Sequence, residues 1–174
     1  WQSVPHVDIV AICDLDEQRL ASARDRFGIT AGFSTVAAML ENADVDFVAL
    51  CTRPGTHAAL VRQVADRGLP VLWQKPFCTS YEEARTSVVY CESVGVPLMI
   101  NENFRWQDWY RKVDELLRTG AIGQPFAARI HWRRRMSLPQ FSHPQDYFKD
   151  MPRLAVYELG VHYIDVFRFL FGEP

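Results

Sequence analysis

Asp46-Phe47-Val48-Ala49-Leu50-Cys51, then Thr52-Arg53-Pro54-Gly55, then Thr56 to Gly68, reads as a strand, a turn and a helix. The first run is short, apolar and nearly unbroken, which suits a parallel strand with both faces covered. Pro54 and Gly55 punctuate the chain, and a helix from Thr56 to Arg67 is closed by Gly68. The same unit recurs on either side. Towards the N-terminus, Val7-Asp8-Ile9-Val10-Ala11-Ile12-Cys13 is a β-branched run ended by Asp14, and Leu20, Ala21, Ala23 and Phe27 repeat at helical spacing up to Gly28. A short helix follows Ser34, a suitable N-cap. Towards the C-terminus, Pro70 to Trp73 is a strand, and Ser80-Tyr81-Glu82-Glu83 is a capping box opening a helix that ends near Val94 and Gly95. Pro97 to Asn101 is the next strand.

Strand and helix thus alternate with short connections from residue 7 to residue 101, the pattern of a doubly wound α/β domain on a parallel sheet. Beyond it, Gln107 to Arg118 reads as a helix and Phe126 to Met136 alternates like a strand. Residues 137–153 form a Pro-containing loop, and Ala155 to Phe171 is an aromatic-rich helix. The division expected is a doubly wound domain over 1–102 and a second unit over 103–174.

Composition narrows the function classes. The 174 residues are 48% hydrophobic and 13% aromatic, enough for a buried core, and the formal net charge of -2 offers no field for nucleic acid or an acidic membrane surface. Every apolar run is far shorter than the roughly 18 residues of a membrane span, and the N-terminal residues do not resemble a signal peptide. Cys13, Cys51, Cys78 and Cys91 have neither C-x-x-C nor zinc-finger spacing, so buried thiols in a reducing, cytoplasmic compartment are expected, with no metal site.

Ligands of open α/β sheets bind at the carboxyl ends of strands, where four features fall. Asp14 stands where a ribose-binding acid would, or caps the next helix. The backbone of Thr52-Arg53-Pro54-Gly55-Thr56-His57 is placed to approach a diphosphate or ribose, or is an ordinary loop. Gln74-Lys75-Pro76 ends a strand, with Pro76 biasing Lys75 towards extended geometry. On the last helix, Glu158 and His162 lie at i and i+4, with Asp165 at i+7, an arrangement open both to proton transfer and to a surface ion pair.

Taken together these segments resemble the glucose-fructose oxidoreductase and inositol dehydrogenase (Gfo/Idh/MocA) family. The matching motifs are Asp14, Thr52 to His57, Gln74-Lys75-Pro76 at the place of Glu-Lys-Pro, Asn103-Phe104-Arg105, and Gly160-Val161-His162-Tyr163-Ile164-Asp165. The resemblance implies a Rossmann-type fold, with a dinucleotide-binding domain over 1–102 and the start of an α+β domain over 103–174, and an NAD-dependent dehydrogenase, with NADP disfavoured by Asp14. The substrate would be a small polyhydroxy compound such as a sugar or polyol, and the parent a homo-oligomer. It implies Lys75, His162 and Glu158 as catalytic residues, Glu158 holding the imidazole. Asp14, Thr52, Arg53, Pro54, His57, Gln74, Lys75 and Asn103 are implied as cofactor contacts. The sequence departs from the family pattern at Gln74, at Glu158 where Asp is usual, and at Met151-Pro152-Arg153-Leu154 in place of a Gly-Gly run.

Family members open with a strand and a Gly-rich phosphate loop, yet the nine glycines here form no G-x-G-x-x-G. The expectation is therefore a partial sheet lacking its first strand, truncated at both ends, inactive alone and weak towards NAD. Competing readings are a non-catalytic dinucleotide-binding or sensory module and a flavodoxin-like regulator. His143, Tyr147 and Lys149 in the 137–153 loop, together with the Arg-rich strand before it, either shape a site for a polyhydroxy or acidic substrate or belong to a solvated loop.

Overall fold

The computed structural model describes residues 1–133 and 153–173. The chain divides into two compact units, Trp1–Asn101 and Glu102–Pro174.

In the first unit the order is β1 (Ala11–Cys13), α1 (Glu17–Phe27), β2 (Ala31–Phe33), α2 (Val36–Asn42), β3 (Val48–Leu50), α3 (His57–Ala65), β4 (Val71–Trp73), α4 (Tyr81–Ser93) and β5 (Leu98–Ile100). All pairings are parallel. β1 pairs with β2 in one sheet, and β3, β4 and β5 form a second, with Leu50 beside Trp73 and Trp73 beside Ile100. Among the described residues no ladder joins β1 to β3, so the parallel sheet expected from the alternation of elements is present as two pieces.

The local chemistry explains the element ends. Asp16 caps α1 by accepting from Gln18 N and Arg19 N, and Gly28 ends it at φ 67, a left-handed conformation that costs glycine little. The N-cap of α2 is Thr35, whose hydroxyl accepts from Ala38 N, and not its neighbour Ser34. Ser80 caps α4 through Glu83 N, while the Glu83 carboxylate reaches back to Thr79 N and Oγ1, one residue beyond the expected capping box.

The core forms where α3 packs on β3 and β4. Val48, Leu50, Val61, Val64, Val71, Trp73 and Cys91 are buried together, each large apolar side chain contributing about 1.5 to 3 kcal/mol by leaving water. β3 and β4 alternate between buried and half-buried positions rather than being sealed on both faces, and Met99 of β5 is 56% exposed. Of the four thiols only Cys78 and Cys91 are buried; Cys13 is half-buried and Cys51 exposed.

The second unit contains a 3-10 turn (Phe104–Trp106), α5 (Asp108–Arg118), a π-helical segment (Ala155–Gly160) and α6 (Val161–Phe171). α6 packs on the turn and on α5, burying His162 and Val166, one helical turn apart. Residues 126–133 of the expected strand are not in a strand, and Phe126 is fully exposed, as no strand among the described residues of this unit pairs with them; residues 134–136 lie outside the described residues. His143, Tyr147 and Lys149 lie outside the described residues.

Candidate active site

Parallel register lines up the carboxyl ends of β3, β4 and β5. Gln74 N donates to Leu50 O and Asn101 N to Trp73 O, so Cys51, Gln74 and Asn101 stand in a row. Beyond β3, Thr52 and Arg53 are exposed, and the Thr56 hydroxyl lies 2.9 Å from both Thr52 Oγ1 and Arg53 O. Gln74 Oε1 accepts from Lys75 N at 2.9 Å, which turns the amide back on its own backbone. Lys75 is half-buried and precedes a cis peptide bond to Pro76.

Asp14 directly follows β1, held by its own N–H on Phe33 O. Its Oδ1 accepts from Asp16 N at 2.9 Å, and the helix cap belongs to Asp16, so the capping role open to Asp14 in the sequence is filled by its neighbour.

Two expected cofactor contacts prove to be internal. Pro54 is buried at the start of a 3-10 turn. His57 is 0% exposed, its Nε2 lying 2.9 Å from Thr52 O and its Nδ1 3.2 Å from Phe77 O, with its ring at an edge-to-face angle to Trp73. His57 ties the loop carrying Thr52 and Arg53 to the segment after Lys75-Pro76.

In the second unit the organising residue is His162. Its side chain is 6% exposed, and its Nδ1 lies 2.6 Å from Glu102 Oε2. Phe104 stacks on the imidazole with 4.1 Å between centroids and 7° between planes. The carboxylate on Nδ1 is therefore Glu102, the position the resemblance gives to Glu158. Glu158 is half-buried in the π-helical segment, where i to i+5 bonding breaks the α-helical register assumed by the i, i+4 argument. Asp165 faces Arg105, accepting from Nε at 2.8 Å and from a second guanidinium nitrogen. That bidentate pair holds the Arg105 guanidinium above its usual range, through the Asp165 hydrogen bond first, with the Asp165 and Glu102 charges adding to it. Asn103 is exposed and opens the 3-10 turn.

Sequence reasoning missed Glu102 because it lies 60 residues from His162. The available signal was an acid directly after an apolar strand, the same signal that marked Asp14. Among the described residues no three His, Cys, Asp or Glu side chains are grouped to hold a metal ion, and no helix is long and apolar enough to cross a membrane.

The family model for the oxidoreductase family with NAD-binding Rossmann fold matches residues 1–102, and that for the GFO/IDH/MocA C-terminal domain matches residues 110–174. The chain is 42% identical over 99% of its length to a D-apiose dehydrogenase of Paraburkholderia graminis, covering 45% of that protein. It is 38% identical over 99% of its length to a D-apiose dehydrogenase of Rhizobium rhizogenes, covering 49% of it. It thus spans about half the length of the curated relatives it matches. The crystal structure of an oxidoreductase from Agrobacterium radiobacter in complex with NAD+, L-tartaric acid and magnesium superposes with a TM-score of 0.88 at 34% identity, over 99% of this chain and 50% of that one. With family models matched over residues 1–102 and 110–174, and parallel strands in the first unit, the chain belongs to the Gfo/Idh/MocA oxidoreductase family.

Proposed function

We propose that the protein is an NAD-dependent dehydrogenase that oxidises a hydroxyl of a sugar or polyol, with His162 as the proton acceptor. The observation that carries this is the buried imidazole with an acid on Nδ1, which leaves Nε2 to accept a proton. Two D-apiose dehydrogenases among the relatives support an aldose as substrate, and D-apiose is the first to try.

The residues present fit a nicotinamide dinucleotide. Asp14 ends a strand with one carboxylate oxygen engaged by Asp16 N, leaving acceptor capacity for ribose hydroxyls. Thr52, Arg53 and Asn103 are exposed polar groups suited to hydroxyl, phosphate or carboxamide. Gln74 and Lys75 follow β4 directly, and Pro54 and His57 support the loop from within. When bound, the cofactor supplies a hydride acceptor. On the substrate the carbinol C–H bond breaks with its electron pair leaving for that acceptor, the hydroxyl proton passes to His162 Nε2, and the carbonyl forms. Lys75 donates a hydrogen bond to the same oxygen and stabilises its developing negative charge. Glu158, in the segment leading into α6, completes the polar set around this step. As the family resemblance implies, the proposal extends to a cytoplasmic homo-oligomer.

The test is label transfer. With an aldose or polyol carrying deuterium on the reacting carbon, the reduced cofactor recovered should carry the deuterium. Label lost to solvent would refute direct hydride transfer.

A further inference from the structure

We propose that Glu102 is a positioning residue that fixes the His162 imidazole as its Nδ1–H tautomer, aided by Phe104, which sets the plane of the ring; this rests on the dehydrogenase reading above. An ionised carboxylate only accepts hydrogen bonds, so a nitrogen 2.6 Å from Glu102 Oε2 must carry the hydrogen. A neutral ring has one N–H, and once that is on Nδ1 the lone pair stays on Nε2. Three further observations point the same way. The Glu102 side chain is 15% and that of His162 6% exposed, so water competes little for the bond. Asp165, an acid on the same helix as His162, is engaged by the Arg105 fork and does not compete for the imidazole. Phe104 lies parallel to the ring at 4.1 Å and denies it rotation about its axis. Glu102 and Phe104 are two residues apart in one short segment entering a 3-10 turn, so a single backbone path delivers both the acceptor and the stacking surface.

The experiment compares the wild-type protein with Glu102→Gln and Glu102→Asp. It reads the His162 tautomer from imidazole nitrogen chemical shifts with the ring neutral, and kcat, KM and melting temperature alongside. A Gln amide offers an N–H2 to Nδ1 and so favours the opposite tautomer. The corresponding acid-to-amide exchange in a Ser-His-Asp triad keeps the geometry and lowers kcat about 10⁴-fold. Expected for Glu102→Gln is a switch to Nε2–H and a fall in kcat of about 10²-fold or more, with KM within about twofold and the melting temperature little changed. Glu102→Asp, a carboxylate one methylene shorter, should keep Nδ1–H and recover part of kcat. A Gln variant that retains the Nδ1–H tautomer overturns the inference, as does one whose kcat stays within about twofold of wild type. The tautomer readout needs no turnover. A switch seen in a protein that oxidises no aldose or polyol would uphold Glu102 as the positioning residue and bring down the dehydrogenase reading instead.

Discussion

Replacing His57 by Ala separates a structural clamp from a cofactor contact. The wild-type ring is 0% exposed, touches the Trp73 ring edge-on at 5.3 Å, and has a backbone carbonyl opposite each nitrogen. Truncating a buried aromatic-sized side chain to Ala costs about 3 to 5 kcal/mol. The cost here belongs at the low end of that range, about 3 kcal/mol, because a neutral ring donates to only one of the two carbonyls, a bond worth about 1 kcal/mol, and Thr52 lies where water can replace the other. In urea, with m of about 1.5 kcal/mol/M for a small domain, that is a midpoint about 2 M lower. His57→Asn, which keeps one donor, should lose about half as much. Cofactor affinity should fall along with stability, since the clamp holds Thr52 and Arg53 in place. A loss of less than about 1 kcal/mol would refute the clamp, and a tenfold loss of NAD affinity at unchanged stability would restore His57 as a ligand contact.

Asp14→Ala should raise kcat/KM for NADP relative to NAD, because a 2'-phosphate would no longer face a carboxylate; an unchanged ratio removes Asp14 from the adenosine end. Asp165→Ala should cost about 1 to 2 kcal/mol by thermal unfolding, since it strands a guanidinium that is only one-third exposed, and Arg105→Lys should cost less by keeping the charge without the fork. Burial first, then the charge and hydrogen bond of Glu83, push the Cys78 thiol up from 9.0 to about 12. A raised value in the folded state means the thiol's share of stability is intact below pH 9 and lost as pH rises towards 12. Unfolding free energy should therefore decline over that window, and Cys78→Ala should flatten the decline.

The sequence made the long features legible, because their signals are local. Apolar runs bounded by Asp, Gly and Pro gave β1, β3, β4 and β5, and Gly28 marked the end of α1 through its own backbone preference. β2 escaped notice since Ala31-Gly32-Phe33 has no alternation to read; it is a strand because the edge of β1 pairs with it. Ser34 and Thr35 carry the same hydroxyl chemistry, and only backbone geometry selects Thr35 as the cap. Lys75 and His162 stand out in the sequence as motif positions, and their roles are proposals, while the burial of His57 and Pro54 was not legible, since a turn that approaches a ligand and one that packs inward share the same residues. Glu102 was hidden for a different reason. Its pairing with His162 is a tertiary contact, and the i, i+4 rule that pointed to Glu158 holds only in a continuous α-helix, which the π-helical segment interrupts.

The central claim is the proposal that Lys75 and His162 carry an NAD-linked oxidation in the full-length protein. The most direct measurement is steady-state reduction of NAD by the full-length protein with D-apiose and a panel of aldoses and polyols, repeated with Lys75→Ala and His162→Ala. The account predicts turnover by the wild type and a fall in kcat of about 10²-fold or more in each variant, because each has lost the group that handles the proton or the oxygen's charge. Variants that bind NAD and turn over at the wild-type rate would contradict it.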